Sequence, residues 1–344
     1  MKTSLNFKPK QSVKRLLAAL HDRSRDIITK RYGLGKSSEQ MTLDAIGKSY
    51  GITRERVRQI ENHAIAVIRK SKQYGEEKSA FEGIEKLIRE LGGIVVEQDL
   101  LDHVSKDTSV QNQLNFLLTV GHPFNKMKED EDFRHRWFID KDLRERIEGS
   151  LKKLYESLKD DELVAEPEMI KRFLSYIENV SEEYKNEEIA RRWMRLSKNV
   201  GKNPLGEWGK TKSPNISTKG MRDYAYLVIR KHGSPIHFRE VAHAIETVFK
   251  KKAHVATTHN ELIKDPRFVL VGRGLYALSE WGYMSGVVKD VIRKLLDKHG
   301  PMTKKEIVDR VMKERYVKEN TIVINLQNKK YFKKNKDGKY EIVK

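Results

Sequence analysis

Between Thr42 and Lys70 the chain reads TLDAIGKSYGITRERVRQIENHAIAVIRK, and no other stretch limits the fold as strongly. Leu43 and Ile46 are apolar, Gly51 interrupts the pattern, and Val57, Ile60, Ala64, Val67 and Ile68 recur at helical spacing. That spacing predicts two helices joined by a tight turn, a helix-turn-helix. Thr42 and Thr53 each stand where an N-cap hydroxyl accepts from an orphan backbone N–H, and Gly51 supplies the permissive turn residue. With Val57 and Ile60 turned inward, Arg54, Glu55, Arg58, Gln59 and Asn62 fall on the wet face of the second helix. Arginine pairs bidentately with guanine, glutamine pairs with adenine, and a carboxylate accepts from the cytosine amino group. Arg54, Glu55, Arg58 and Gln59 are therefore the expected DNA base contacts. Thr42, Lys48, Thr53, Arg56, Arg69 and Lys70 suit the phosphate backbone.

The segments RSRDIITKRYGL and TLDAIGKSYGITRERVRQIE resemble region four of the primary sigma factors of bacterial RNA polymerase, over about 50 residues. The resemblance implies that the second helix docks in the major groove of a promoter −35 element. It places base contact on Arg54, Glu55 and Gln59, and backbone contact on Thr53, Arg56 and Arg58. It also implies that the first part of the module meets the polymerase flap, which would fall on Ile27, Ile28, Tyr32 and Leu34. Sigma factors carry this region after a segment that melts promoter DNA. With about 20 residues ahead of Arg23, this chain is expected not to be a complete sigma factor and not to open strands alone.

Charge sorts the rest of the chain. Residues 1–75 hold 17 basic and 6 acidic side chains, 76–200 hold 21 and 28, and 201–344 hold 31 and 15, for a net +20. Two basic ends around an acidic middle suggest modules with different partners, the ends suited to polyanions. The absence of cysteine excludes a disulfide framework, a thiolate zinc site and a cysteine nucleophile. No stretch approaches the length of a signal peptide core or a membrane span, so a soluble cytoplasmic, nucleoid-associated protein is expected.

The last 120 or so residues repeat one plan: a helix ending in His232-Gly233-Ser234-Pro235 and another ending in His299-Gly300-Pro301, each followed by two helices and a hairpin. Three helices and a hairpin make a winged helix. Thr303 and Glu306 form a capping box, and Asp337-Gly338 between apolar runs signals a hairpin. The first copy, HGSPIHFREVAHAIE through HNELIKDPRFVLVGRGLYALSEWG, is similar to the HARE helix-turn-helix domain, a winged-helix family whose members bind DNA or protein. Its expected DNA contacts are Thr257, Thr258, His259, Asn260 and the wing-tip Arg273. In the second copy, Lys329, Lys330, Lys333, Lys334 and Lys336 around Tyr331 and Phe332 suit phosphates. A third copy is expected over 76–140, with an acidic wing of Glu129, Asp130, Glu131 and Asp132 that phosphates would repel and that suits protein contact or none.

Three other signals are set aside. Gly35-Lys36-Ser37 lacks the glycine a phosphate-binding loop requires at position 30. His232, His237, His243, His254 and His259 lack zinc spacing. Glu183-Tyr184-Lys185 has the E-x-K form of a nuclease strand but sits in a charged helical stretch. No catalytic group, metal or cofactor is expected.

The expected fold is mainly α, a multi-domain array of helix-turn-helix and winged-helix modules, three-helix bundles with small β-hairpin wings. The divisions are 1–75 sigma-like, 76–140 winged with an acidic wing, 141–198 helical spacer, 199–218 flexible linker, 219–283 HARE-like, and 285–344 basic winged. The expected function is a DNA-binding transcription regulator or initiation factor with double-stranded DNA and RNA polymerase as partners, and no membrane or small-molecule substrate. The alternatives are a polymerase-binding adaptor without strong DNA specificity and an accessory of DNA restriction or phage defence.

Overall fold

A computed structural model describes residues 6–284 and 286–343. Met1–Leu5, Ser285 and Lys344, which include the ends of the first and last expected modules, lie outside the described residues. The architecture is mainly helical with small antiparallel sheets, and the chain divides into two compact units.

Unit 1 holds residues 1–201 and 208–211. It begins with α1 (Pro9–Leu17), α2 (Asp22–Tyr32), α3 (Leu43–Tyr50), α4 (Arg54–Lys70) and the short α5 (Lys72–Glu76). Then come α6 (Lys78–Glu90), β1 (Ile94–Val96), α7 (Glu97–Val104), α8 (Thr108–Val120), β2 (Asn125–Met127) and β3 (Arg136–Phe138). β3 is the middle strand, pairing Trp137 with Val95 on one side and with Lys126 on the other. The unit continues through α9 (Lys141–Ser157), α10 (Glu166–Ser175) and α11 (Glu187–Met194).

Two cores organise this unit, and neither follows the expected divisions. Val13, Leu16, Leu20, Ile28, Ala64 and Ile68 from the first 75 residues share one core with Phe81, Ile84, Phe116, Leu117 and Val120. The break expected at Gln73-Tyr74-Gly75 is instead packed: the Tyr74 ring lies 4.9 Å from that of Phe81, its hydroxyl accepts from the His122 backbone N–H at 3.0 Å, and Arg15 pairs with buried Glu77. The helix-turn-helix and the following module form one packed body.

Residues 141–198 are likewise not a spacer. Leu143, Ile147, Leu151, Leu154 and Leu158 are all buried in a second core with Ile94, Phe138, Phe173 and Trp193. The Trp193 indole N–H donates to the Gly92 carbonyl at 3.0 Å, which a Cβ on Gly92 would obstruct at 2.9 Å from that nitrogen.

The run 199–218 carries strands β4 (Val200–Lys202) and β5 (Trp208–Lys210). Val200, Trp208 and Ile216 are buried, and so are Asn203, Ser213 and Asn215. Glycine and proline rule out long elements here, but a short hairpin needs only a few residues, and Trp208 gives it a side chain to bury. The flexible tether is corrected to a folded segment.

Unit 2 holds residues 202–207 and 212–344. Its first half runs α12 (Met221–His232), β6 (Ile236–His237), α13 (Phe238–Phe249), α14 (Val255–Lys264), β7 (Phe268–Leu270) and β8 (Leu275–Leu278), with β8 in the middle of the sheet. Its second half runs α15 (Val288–His299), α16 (Lys304–Glu314), α17 (Glu319–Leu326), β9 (Phe332–Lys334) and β10 (Tyr340–Ile342). Met302 bridges Tyr340, so a short extended piece pairs with the second hairpin just as β6 pairs with the first. Both halves therefore run helix, short extended piece, two helices and a hairpin. They are joined by a bridge between Gly272 and Tyr316, whose backbone N–H donates to the Val271 carbonyl at 2.7 Å. A Cβ on Gly272 would lie 2.9 Å from the Tyr316 carbonyl oxygen, so this strand approach needs glycine.

Candidate nucleic-acid interface

The helix-turn-helix is fixed by its caps. Thr42 Oγ1 accepts from the Ala45 N–H at 3.1 Å and starts α3; Thr53 Oγ1 accepts from the Arg56 N–H at 3.2 Å and starts α4. Gly51 ends α3 in the left-handed region at φ 63°, which favours glycine. The turn is tight because Gly47 has no side chain: a Cβ there would sit 2.6 Å from the Ile52 carbonyl oxygen. Val57 is fully buried against Ile27 and Ile46, which sets the rotation of α4 about its axis. One step to either side, Arg54, Glu55, Arg56, Arg58 and Gln59 are exposed. Arg54, Glu55, Arg58, Gln59 and Asn62 form one solvent-facing strip, as i, i+1, i+4, i+5 and i+8 positions must.

These side chains are held together in the free protein. Arg58 donates to both Glu55 carboxylate oxygens, at 2.9 and 2.6 Å, and Arg56 donates to Gln59 Oε1 at 3.1 Å. The Arg58 guanidinium holds the Glu55 carboxyl below its ordinary pKa. Exposed pairs of this kind contribute little to stability, so they can open toward another ligand at small cost. Both capping threonines use a hydroxyl lone pair, which leaves the O–H proton able to donate to a phosphate at a helix N-terminus, where the dipole favours an anion. Lys48 is exposed and pairs with Asp44 at 2.8 Å, and Lys70 is exposed.

Other expected contacts are corrected. Arg69 is occupied: its guanidinium donates to the carbonyls of Val120 and Thr119, both at 2.9 Å, and so caps the C-terminus of α8. Ile27 and Ile28 are fully buried, the first against Val57 and the second in the core shared with α8. Tyr32 and Leu34 pack against that same core, the Tyr32 ring meeting Phe116 edge-on at 5.3 Å, and burial pushes its hydroxyl pKa up. Of the residues assigned to polymerase, Ile28, Tyr32 and Leu34 thus share a core with α8, and Ile27 is covered by α3 and α4. Asn112 on α8 completes the closure: its amide donates to the Gly33 and Ser38 carbonyls at 3.1 and 2.8 Å and accepts from Gln40 at 2.7 Å.

The acidic wing is also engaged internally. Asp130 pairs with buried Arg136 at 3.0 Å, Glu129 with Lys198 at 2.8 Å and Asp132 with Lys152 at 3.0 Å. Arg136 in turn donates to Glu148 at 2.5 Å. Three of the four carboxylates are thus paired within unit 1, Asp130 with a buried arginine.

In unit 2, Thr257 and Asn260 are exposed on α14 and Arg273 is exposed in the turn between β7 and β8. Thr258 is corrected: it is fully buried and donates to the His254 carbonyl at 3.1 Å. His259 is half-buried and stacks on Phe238, with ring centroids 4.1 Å apart. Lys329, Lys330, Lys333, Lys334 and Lys336 are exposed around the second hairpin, Lys333 pairing with Glu341 at 3.3 Å. Sequence reasoning passed over the exposed face of α17, although the buried Ile322 and Leu326 leave Asn320 and Ile324 on the opposite side.

Residues 16–70 match the family Sigma-70, region 4. Over 66 residues the chain is 44% identical to the RNA polymerase sigma factor RpoD of Helicobacter pylori strain 26695, covering 19% of this chain and 10% of that protein. It is 46% identical over 55 residues to the principal sigma factor HrdD of Streptomyces griseus, and over 57 residues to the sigma factor RpoS of Coxiella burnetii. These two alignments cover 16% and 17% of this chain and 16% of each relative, so the chain spans a tenth to a sixth of the length of the curated relatives it matches. The N-terminal helix-turn-helix is thus similar to sigma region 4.

Proposed function

We propose that this protein is a DNA-binding transcription regulator. It reads a −35-like promoter element through the N-terminal half of α4, with Arg54, Glu55, Arg58 and Gln59 on base edges and Thr42, Lys48, Thr53, Arg56 and Lys70 on phosphates. The winged helices of unit 2 add contacts through Thr257, Asn260, Arg273 and the lysines of the second hairpin. The observation that carries this reading is the rotation of α4: Val57 is fully buried while its polar neighbours stand in solvent, on a helix whose sequence is similar to sigma region 4. Sigma factors act with RNA polymerase in the bacterial cytoplasm, and that is the proposed setting. Buried Ile27 and Ile28 do not supply the polymerase contact, which weighs against an adaptor working through that face. No described helix is long and apolar enough to cross a membrane.

A shift assay over a salt series tests the reading. Lys48, Arg56 and Lys70 with three of the hairpin lysines would make six charged phosphate contacts, costing roughly 10³-fold in affinity between ~50 and ~200 mM salt. Affinity that stays flat over that range contradicts it.

A further inference from the structure

The two winged helices of unit 2 present matching surfaces on their third helices. Leu262 on α14 and Leu326 on α17 are both buried, and each precedes by six residues a buried phenylalanine, Phe268 or Phe332, that opens a strand. This register matches Ala256, Thr257, Asn260 and Ile263 with Asn320, Thr321, Ile324 and Gln327. All eight are exposed and all eight are uncharged, in a chain where 34% of residues are charged. Charge is placed around these faces instead: Lys318, Lys329 and Lys330 flank α17, and Lys334 and Lys336 lie in its hairpin, all exposed. Of the carboxylates beside them, Glu319 pairs with Lys304 at 3.9 Å and Glu341 with Lys333 at 3.3 Å, while Asp337 is exposed in the hairpin turn.

An isolated surface isoleucine is ordinary. A neutral strip inside a lysine frame is not a solubilising surface, and its chemistry is specific. Asparagine and glutamine pair bidentately with adenine N6 and N7, while an apolar side chain packs on the thymine methyl group. Ile324 is 67% exposed, the highest value among the exposed large apolar residues of the described chain. The Asn320 and Gln327 side chains make no hydrogen bond among the described residues. The lysines supply the complementary charge for phosphates on either side.

We infer that the exposed face of α17 is a second base-reading surface, specific for A·T pairs in the major groove, with Asn320 and Gln327 on adenine edges and Ile324 against a thymine methyl. This rests on the reading that the chain binds duplex DNA. In the same register α14 carries Asn260 at the position of Ile324 and Ile263 at that of Gln327, so the two faces share the chemistry but not its order.

Replacing thymine by uracil removes only the C5 methyl, so it tests the contact directly. The full-length protein is titrated against a short A·T-rich duplex and its uracil-substituted twin by fluorescence anisotropy, as wild type and as Ile324→Ala. Ile324 is exposed, and far-UV circular dichroism checks that the variant is folded. The expected result is that uracil weakens the wild type about fourfold for each methyl buried, and that Ile324→Ala binds both duplexes alike. Equal wild-type affinity for the two duplexes overturns the inference. So does a thymine preference that survives in Ile324→Ala, which would locate methyl recognition on another helix. Failure to bind either duplex overturns the inference and the proposed function together, and is told apart by the absence of any anisotropy change.

Discussion

Replacing Phe116 by alanine should loosen the helix-turn-helix, although Phe116 lies far from it in sequence. Phe116 is fully buried on α8, its ring edge-on to Tyr32 of α2, in the core that also holds Ile28, Ala64 and Ile68. Removing a buried phenylalanine ring costs about 3–5 kcal/mol. If one cooperative core joins these residues, the opening of α4 must become easier by the same amount. Native-state hydrogen exchange reads this residue by residue. The backbone amides of Ala64 and Ile68 should lose protection by roughly 10²- to 10³-fold or more, at 1.4 kcal/mol per tenfold. The Gly33–Gln40 turn, held to α8 by Asn112, should open with them. Protection of α4 that is unchanged, while α6 and α8 lose theirs, would show that the first 70 residues fold as an independent module and would refute the shared core.

Two further outcomes follow from the geometry. Arg69→Ala should lower the unfolding free energy by about 1–3 kcal/mol, because two α8 carbonyls lose their donors, yet leave the salt dependence of DNA binding unchanged; a shallower slope would restore Arg69 to the phosphate contacts. Acid should destabilise unit 1 through its wing. Burial alone would raise the Asp130 pKa, but the Phe133 backbone N–H and the Arg136 guanidinium outweigh it, and Lys198 holds Glu129 down as well. A depressed folded pKa stabilises above the unfolded value, 3.8 for the aspartate, and that stabilisation is lost as pH falls through the lower folded value. Thermal unfolding followed from neutral pH downward should show Tm dropping below about pH 4, with a smaller drop in Asp130→Asn.

What could be seen in the sequence was what local rules control. Thr42, Gly51 and Thr53 are punctuation, and the caps at Thr42 and Thr53 and the left-handed Gly51 stand where that punctuation put them. The capping box of Thr303 and Glu306 and the Asp337-Gly338 turn before β10 are of the same kind. The buried register of Val57, Ala64 and Ile68 followed from the helical period. Partnership did not. The periodicity of Leu143 to Leu158 says that one face is buried, not that it meets Ile94 and Trp193. Arg69 resembles any basic residue at a helix end, and its two carbonyl partners lie 50 and 51 positions away. Ile27 and Ile28 are adjacent apolar residues on a short helix, and nothing local says that α3 and α4 cover one while α8 covers the other. In the run 199–218, the glycines and prolines obscured the one residue that signalled a fold, Trp208.

The central claim concerns the solvent side of α4, and a paired affinity measurement tests it most directly. Full-length wild type and the Arg54→Ala, Glu55→Ala, Gln59→Ala triple variant are each titrated with a −35-element duplex and with a scrambled duplex of the same composition, at one fixed salt concentration. The account predicts a preference of at least about tenfold in the wild type, from contacts that discriminate by roughly 1–3 kcal/mol each, and its disappearance in the variant with scrambled-duplex binding retained. A wild type that binds both duplexes equally, or a variant that keeps the preference, would contradict it.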